Sequence, residues 1–135
     1  MAKRTDNSPH DNAVRALKKI YEKHGYHVWI NPGSEKNKSW SGKWIDVIVA
    51  DSEKATKAKL FEIETSDSID DDEAMQWKEY DKAYTTVWHL AIPEGSKADV
   101  EKLIKSHKIE RCKIVTWTKK ADGTHSFKGL PGTKK

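Results

Sequence analysis

The chain has 135 residues, 36% hydrophobic and 34% charged, enough for one domain with an ordinary core and too short for two. Six tryptophans and regularly spaced Val, Ile and Leu runs exclude a disordered chain despite the charge. Lys and Arg number 25 against 21 Asp and Glu, a net charge of +4 with the acids gathered in 62–73 and lysines over both termini and the 36–43 loop; this suits an anionic partner meeting a metal-binding acidic centre, or else a plain lysine-rich surface.

Ser8-Pro9 pairs a capping residue with a proline at the first helical position. Ala13, Leu17, Ile20 and His24, with Val14 and Tyr21, then recur at helical spacing until Gly25 stops the helix. "YHVWI" (26–30) reads as a short strand, and "NPGSEKNKSWSGK" (31–43) as a loop expected to be the most flexible internal piece. Strands over roughly 44–50 and 59–64, joined by the polar "DSEKATKAK", suit an antiparallel hairpin. "SDSIDDDE" (66–73) places aspartates at the start of a second helix, where they complement its dipole, and that helix runs to about Tyr84. "TVWHLAI" (86–92) is a strand ended by Pro93 and Gly95; Ser96 with Asp99 resembles a capping box for a third helix with Val100, Leu103, Ile104 and His107 on one face. "RCKIVTW" (111–117) is the last long strand, and the 119–135 tail is expected to add a small Asp-Gly hairpin before fraying, as residues 1–8 are expected to be flexible. The fold class is therefore α/β: one domain over 1–135, a small sheet with helices on its faces.

Cys112 is the sole cysteine, which excludes an intrachain disulfide and a cysteine-based zinc site and fits a reducing cytoplasmic location. No segment approaches the roughly 18 apolar residues of a membrane span, and "MAKRTDNSPH" lacks the apolar stretch of a signal peptide, so no membrane association is expected. The six histidines show no zinc spacing and fit packing or surface roles, and Trp77, Trp88 and Trp117 fit core or interface anchoring.

Acids interrupt the two hairpin strands. Side chains alternate across a strand, so Glu62 and Glu64 share one face while Phe61 and Ile63 share the other, and Asp46 joins the two acids if 44–50 pairs with 59–64. Converging carboxylates raise one another's pKa and require a compensating positive charge. Hard oxygen ligands from adjacent strands are what Mg²⁺ uses in phosphodiester cleavage. The alternative is a solvated sheet face on which the acids pair with Lys43, Lys57 or Lys59.

An Asp on one hairpin strand, Glu-x-Glu on the next, then a helix carrying "QWKEY" resembles the PD-(D/E)XK nuclease superfamily over residues 9–92. The resemblance implies a restriction-endonuclease-like α-β-β-β-α-β core with a mixed central sheet flanked by helices, here followed by a C-terminal helix and strand. It implies metal ligation by Asp46, Glu62 and Glu64, and support from Gln76 and Tyr80, which match the Gln-x-x-x-Tyr element of RecB-like branches. Glu64 stands where the family usually has lysine; Glu there is compatible with activity and is also met where activity has been lost. Lys78 or Lys82 would be the substitute cations. "RALKKIYEKHGYHVW" is similar to the opening helix of archaeal Holliday-junction resolvases. Aligned on Gly25, their metal-assisting Glu falls at Val14, and Asp11 would replace it only if the helix shifted.

The implied activity is a Mg²⁺-dependent DNA endonuclease, with Mn²⁺ able to substitute, acting as a homodimer on DNA, with junctions or branched forms among its substrates. The alternatives are a catalytically inactive nucleic-acid-binding module of the same fold and a protein-interaction domain. Lys36, Lys38 and Lys43, interleaved with Trp40 and Trp44, are candidate DNA-binding residues that track phosphates while a ring stacks on a base, unless the loop is a mobile surface with Trp44 in the core. Arg15, with Lys3 and Arg4, would extend that basic surface.

Overall fold

The structure, a computed structural model, describes residues 8–33 and 35–132; Lys3 and Arg4 lie outside the described residues. Helix α1 (Pro9–Lys23) starts where expected, with the Ser8 hydroxyl accepting the Asp11 amide at 3.1 Å. Strands β1 (His27–Ile30), β2 (Val47–Ala50) and β3 (Lys59–Ile63) follow, then α2 (Asp71–Ala83), β4 (Trp88–Pro93), α3 (Lys97–Ser106), β5 (Cys112–Lys119) and β6 (His125–Lys128). The molecule is mixed α/β. Its six strands form one sheet in chain order, antiparallel from β1 to β3, parallel from β3 to β5 through the α2 and α3 crossovers, and antiparallel again between β5 and β6.

Strand alternation sorts the core onto two faces. Val47, Val49, Phe61 and Ile63 meet Ala13, Val14, Leu17 and Tyr21 of α1. Ile48, Leu60, Leu90 and Ile92 meet Trp77 and Tyr80 of α2 and Val100 of α3. Each such buried side chain contributes about 1.5–3 kcal/mol, so a one-residue slip of β3 would be costly on both faces. Register therefore fixes which face the acids occupy.

Two local expectations are corrected, the start of the second strand and the Ser96 cap. The second strand begins at Val47 rather than residue 44: the Asp46 carbonyl still accepts from the Asn31 amide at 3.0 Å, one step beyond the β1–β2 register, but the Ile45 carbonyl accepts from the Asn31 side chain, Nδ2, at 2.7 Å and the Ile63 amide of β3 goes to the Asp46 carboxylate. In the loop that follows β1, Asn31 also donates to the Lys38 carbonyl and accepts from the Asn37 and Lys38 amides. Ser96 makes no side-chain cap, because a 3-10 turn (Glu94–Ser96) runs directly into α3.

The Asp122-Gly123 turn does form the expected hairpin between β5 and β6, with Gly123 at φ +89°, a conformation that favours glycine. Beyond it, the Tyr21 hydroxyl donates to the Pro131 carbonyl at 2.6 Å and the Tyr26 hydroxyl to that of Gly132. Among the described residues no helix is long and apolar enough to cross a membrane.

Candidate metal centre

Glu62 and Glu64 leave β3 on the α2 face, as alternation requires, and Glu73 meets them from the first turn of α2. One carboxylate oxygen from each of the three lies within 4.8 Å of the others. They are 3%, 0% and 5% exposed, which overturns the solvated-face alternative.

The local sequence accounts for the approach. Asp70 caps α2 by accepting the Glu73 amide at 2.8 Å, which fixes the helix start and turns Glu73 inward together with Trp77 and Tyr80, its neighbours on that face. The Trp77 indole donates to Glu64 at 3.0 Å, and the Ser68 hydroxyl donates to the other Glu64 oxygen. Trp117 donates to the Glu64 carbonyl at 3.2 Å and anchors the strand end. Burial, and then Glu73 beside it, push the Glu64 carboxyl far above the usual range. Glu73 Oε2 is buried with no hydrogen-bond partner among the described residues. Glu73 also hydrogen-bonds Glu64, and three buried carboxyls gathered in this way are an oxygen donor set of the kind a divalent cation satisfies.

Asp46 stands where β2 parts from β3. Its Oδ2 accepts the Ile63 amide at 2.8 Å in place of a strand carbonyl, and its own amide donates to Glu62 Oε1 at 3.3 Å. Of the expected trio, Glu62 and Glu64 share the cluster with Glu73, while Asp46 meets Glu62 through its backbone amide and is not part of that cluster. Asp46 Oδ2 also meets His10 Nε2 at 2.9 Å, while His10 Nδ1 meets Asp11 Oδ1 at 2.8 Å. The Gly33 amide donates to that Asp11 oxygen at 3.1 Å. Asp11 therefore reaches Asp46 through His10 with no shift of α1, and Val14 is core.

Tyr80 is buried and Gln76 exposed; Gln76 Nε2 donates to the Tyr80 hydroxyl at 3.2 Å, so the pair shares a face as expected. Burial, then the Glu62 and Asp46 carboxylates, raise the Tyr80 phenol well above its ordinary value, and it hydrogen-bonds Glu62. The substitute lysines go elsewhere. Lys78 donates to the Lys108 carbonyl and Lys82 pairs with Glu79 at 3.6 Å.

The loop residues lie apart from the acids in role. Lys36 Nζ sits 5.7 Å from the centre of the Trp44 ring and Lys38 Nζ 4.9 Å from that of Trp29. Trp44 is 43% exposed, so it is not core. Trp40 and Lys43 form a bridge that closes the loop, with Trp40 partly buried, and Arg15 lies 4.0 Å from Glu35.

Two participants escaped the sequence reading. Glu73 fitted helix-dipole complementation, although its spacing from Trp77 and Tyr80 marks one helical face. His10 fitted packing, and only the tertiary approach of α1 to β2 puts it between two aspartates. No protein-family model matches the chain, and no curated protein or solved structure matches it.

Proposed function

We propose that the protein is a divalent-metal-dependent DNA endonuclease of PD-(D/E)XK type, with a restriction-endonuclease-like core and Mg²⁺ as its natural cation. The observation that carries this reading is the buried trio Glu62, Glu64 and Glu73, which bring one carboxylate oxygen each within 4.8 Å of the others. An all-carboxylate set suits Mg²⁺ or Mn²⁺ better than softer metals.

Asp46, Glu62 and Glu73 would hold the cation, and Glu64 would ligate it or take the proton of the attacking water. When bound, the cation supplies positive charge for the phosphate and its transition state. Tyr80 and Gln76 orient Glu62, and the Ile63 amide and His10 fix the rotamer of Asp46. Water attacks phosphorus in line, the bond from phosphorus to the 3′ oxygen breaks, and a 5′-phosphate and 3′-hydroxyl result. A homodimer would bring one such site to each strand.

A second reading, an inactive DNA-binding module, is favoured by Glu64, whose oxygens already have Trp77 and Ser68 as partners. Cleavage of labelled duplex, nicked, flap and four-way-junction DNA with Mg²⁺, Mn²⁺ or EDTA decides between them. Cutting that needs metal and is lost in Glu62→Ala is the expected result. Binding without cutting under every metal would favour the module.

A further inference from the structure

We propose that the 35–44 loop is a stacking platform for unpaired nucleotides, so that the strand presented to the acidic centre is single-stranded at the platform. This rests on the nucleic-acid reading above and names its substrate class.

The first observation is an exposed ring with a cation already beside it. Trp44 is 43% exposed and Lys36 lies over its ring, while Lys38 lies over Trp29. An arriving base can take the ring face as its phosphate takes the displaced ammonium, exchanging one cation–π contact for stacking and an ion pair. Bases inside a duplex already have both faces stacked, so only an unpaired base can make this exchange without first being extruded.

The second observation is that the platform is built in advance. The Asn31 side chain, 5% exposed, fastens the loop through the Lys38 and Ile45 carbonyls and the Asn37 and Lys38 amides. The bridge between Trp40 and Lys43 closes it. Little ordering is left to be done on binding. The loop's one acid, Glu35, faces Arg15, so Lys36, Lys38 and Lys43 leave it cationic.

The third is position. Trp29 and Trp40 pack against the same core cluster that holds Trp77 and Tyr80, the α2 residues that contact Glu64 and Glu62. Trp40 of the loop, and Trp29 beneath Lys38, therefore lie on the acids' face of the sheet. Trp44 is two residues from Asp46, a backbone span of at most about 7 Å.

The test uses a short oligonucleotide carrying 2-aminopurine, single-stranded or annealed to its complement, titrated with the full chain in EDTA so that nothing is cut. The single strand is expected to bind at least tenfold tighter than the duplex, with the probe's fluorescence changing on stacking. Trp44→Ala should lose about tenfold or more in single-strand affinity, and Trp44→Phe should recover most of it. Equal or tighter duplex binding, or single-strand affinity indifferent to Trp44→Ala, overturns the platform. The nuclease reading fails separately: a single-strand preference that depends on Trp44, without metal-dependent cutting, leaves the platform standing, whereas Glu62-dependent cutting of duplex with no such preference removes the platform alone.

Discussion

Glu73 enters a buried space that already holds Glu62 and Glu64, hydrogen-bonds Glu64 there and completes the candidate ligand set. Glu73→Gln removes one of three ionisable groups crowded into a buried space and keeps the shape. In EDTA the variant is expected to melt a few degrees higher than the wild type, a gain on the order of 1 kcal/mol. Added Mn²⁺ should then raise the melting temperature of the wild type and not of the variant. An unchanged Mn²⁺ response in Glu73→Gln would remove Glu73 from the ligand set. The paired outcome matters because a residue kept for packing alone would show only the first half.

At the scale of elements, Asp81 joins three of them. Near the end of α2, it accepts the Glu110 and Arg111 amides ahead of β5 at 2.9 and 2.8 Å and the Trp88 indole of β4 at 3.1 Å. Burial alone would raise its pKa, but the two amides and the indole outweigh it and hold the carboxyl below its usual range. A depressed carboxyl contributes stability above its unfolded pKa, about 4, and that contribution is lost as pH falls through the lower folded value. Asp81→Asn is expected to cost about 2 kcal/mol at neutral pH, with denaturation curves of the two proteins converging at acid pH. A constant gap down to pH 2 would mean the carboxylate's charge is not what holds these elements. The elements themselves were legible in the sequence because caps, periodicity and turn chemistry agreed with tertiary packing at Ser8-Pro9, along β3 and at Asp122-Gly123. Legibility failed at residues 44–46, where strand propensity is high but the Asn31 side chain and the Asp46 carboxylate take over backbone pairing. Side chains that stand in for strand carbonyls leave no periodic trace.

For the whole molecule, the separation of charge visible in the sequence becomes a physical one: buried acids on the α2 face and lysines on a fastened loop at the same face. Binding through Lys36, Lys38 and Lys43 should make affinity for a single strand fall with log salt at a slope of about −2, from about 0.7 per neutralised phosphate. Lys36→Ala with Lys38→Ala should flatten that slope, as measured by anisotropy across a salt series. A slope near zero in the wild type would point to a partner without phosphates. Which acids assemble was only half readable, because tertiary packing decides part of the set. Asp46, Glu62 and Glu64 are found from strand alternation, while Glu73 and His10 reach the centre only through the packing of α2 and α1.

The divergence of β2 from β3 gives the sheet a built-in spectroscopic witness. The Ile63 amide proton lies on a carboxylate rather than on a strand carbonyl, so its resonance and its exchange with solvent deuterium follow the state of Asp46. Whatever alters that carboxylate is registered by a single buried amide at the end of β3.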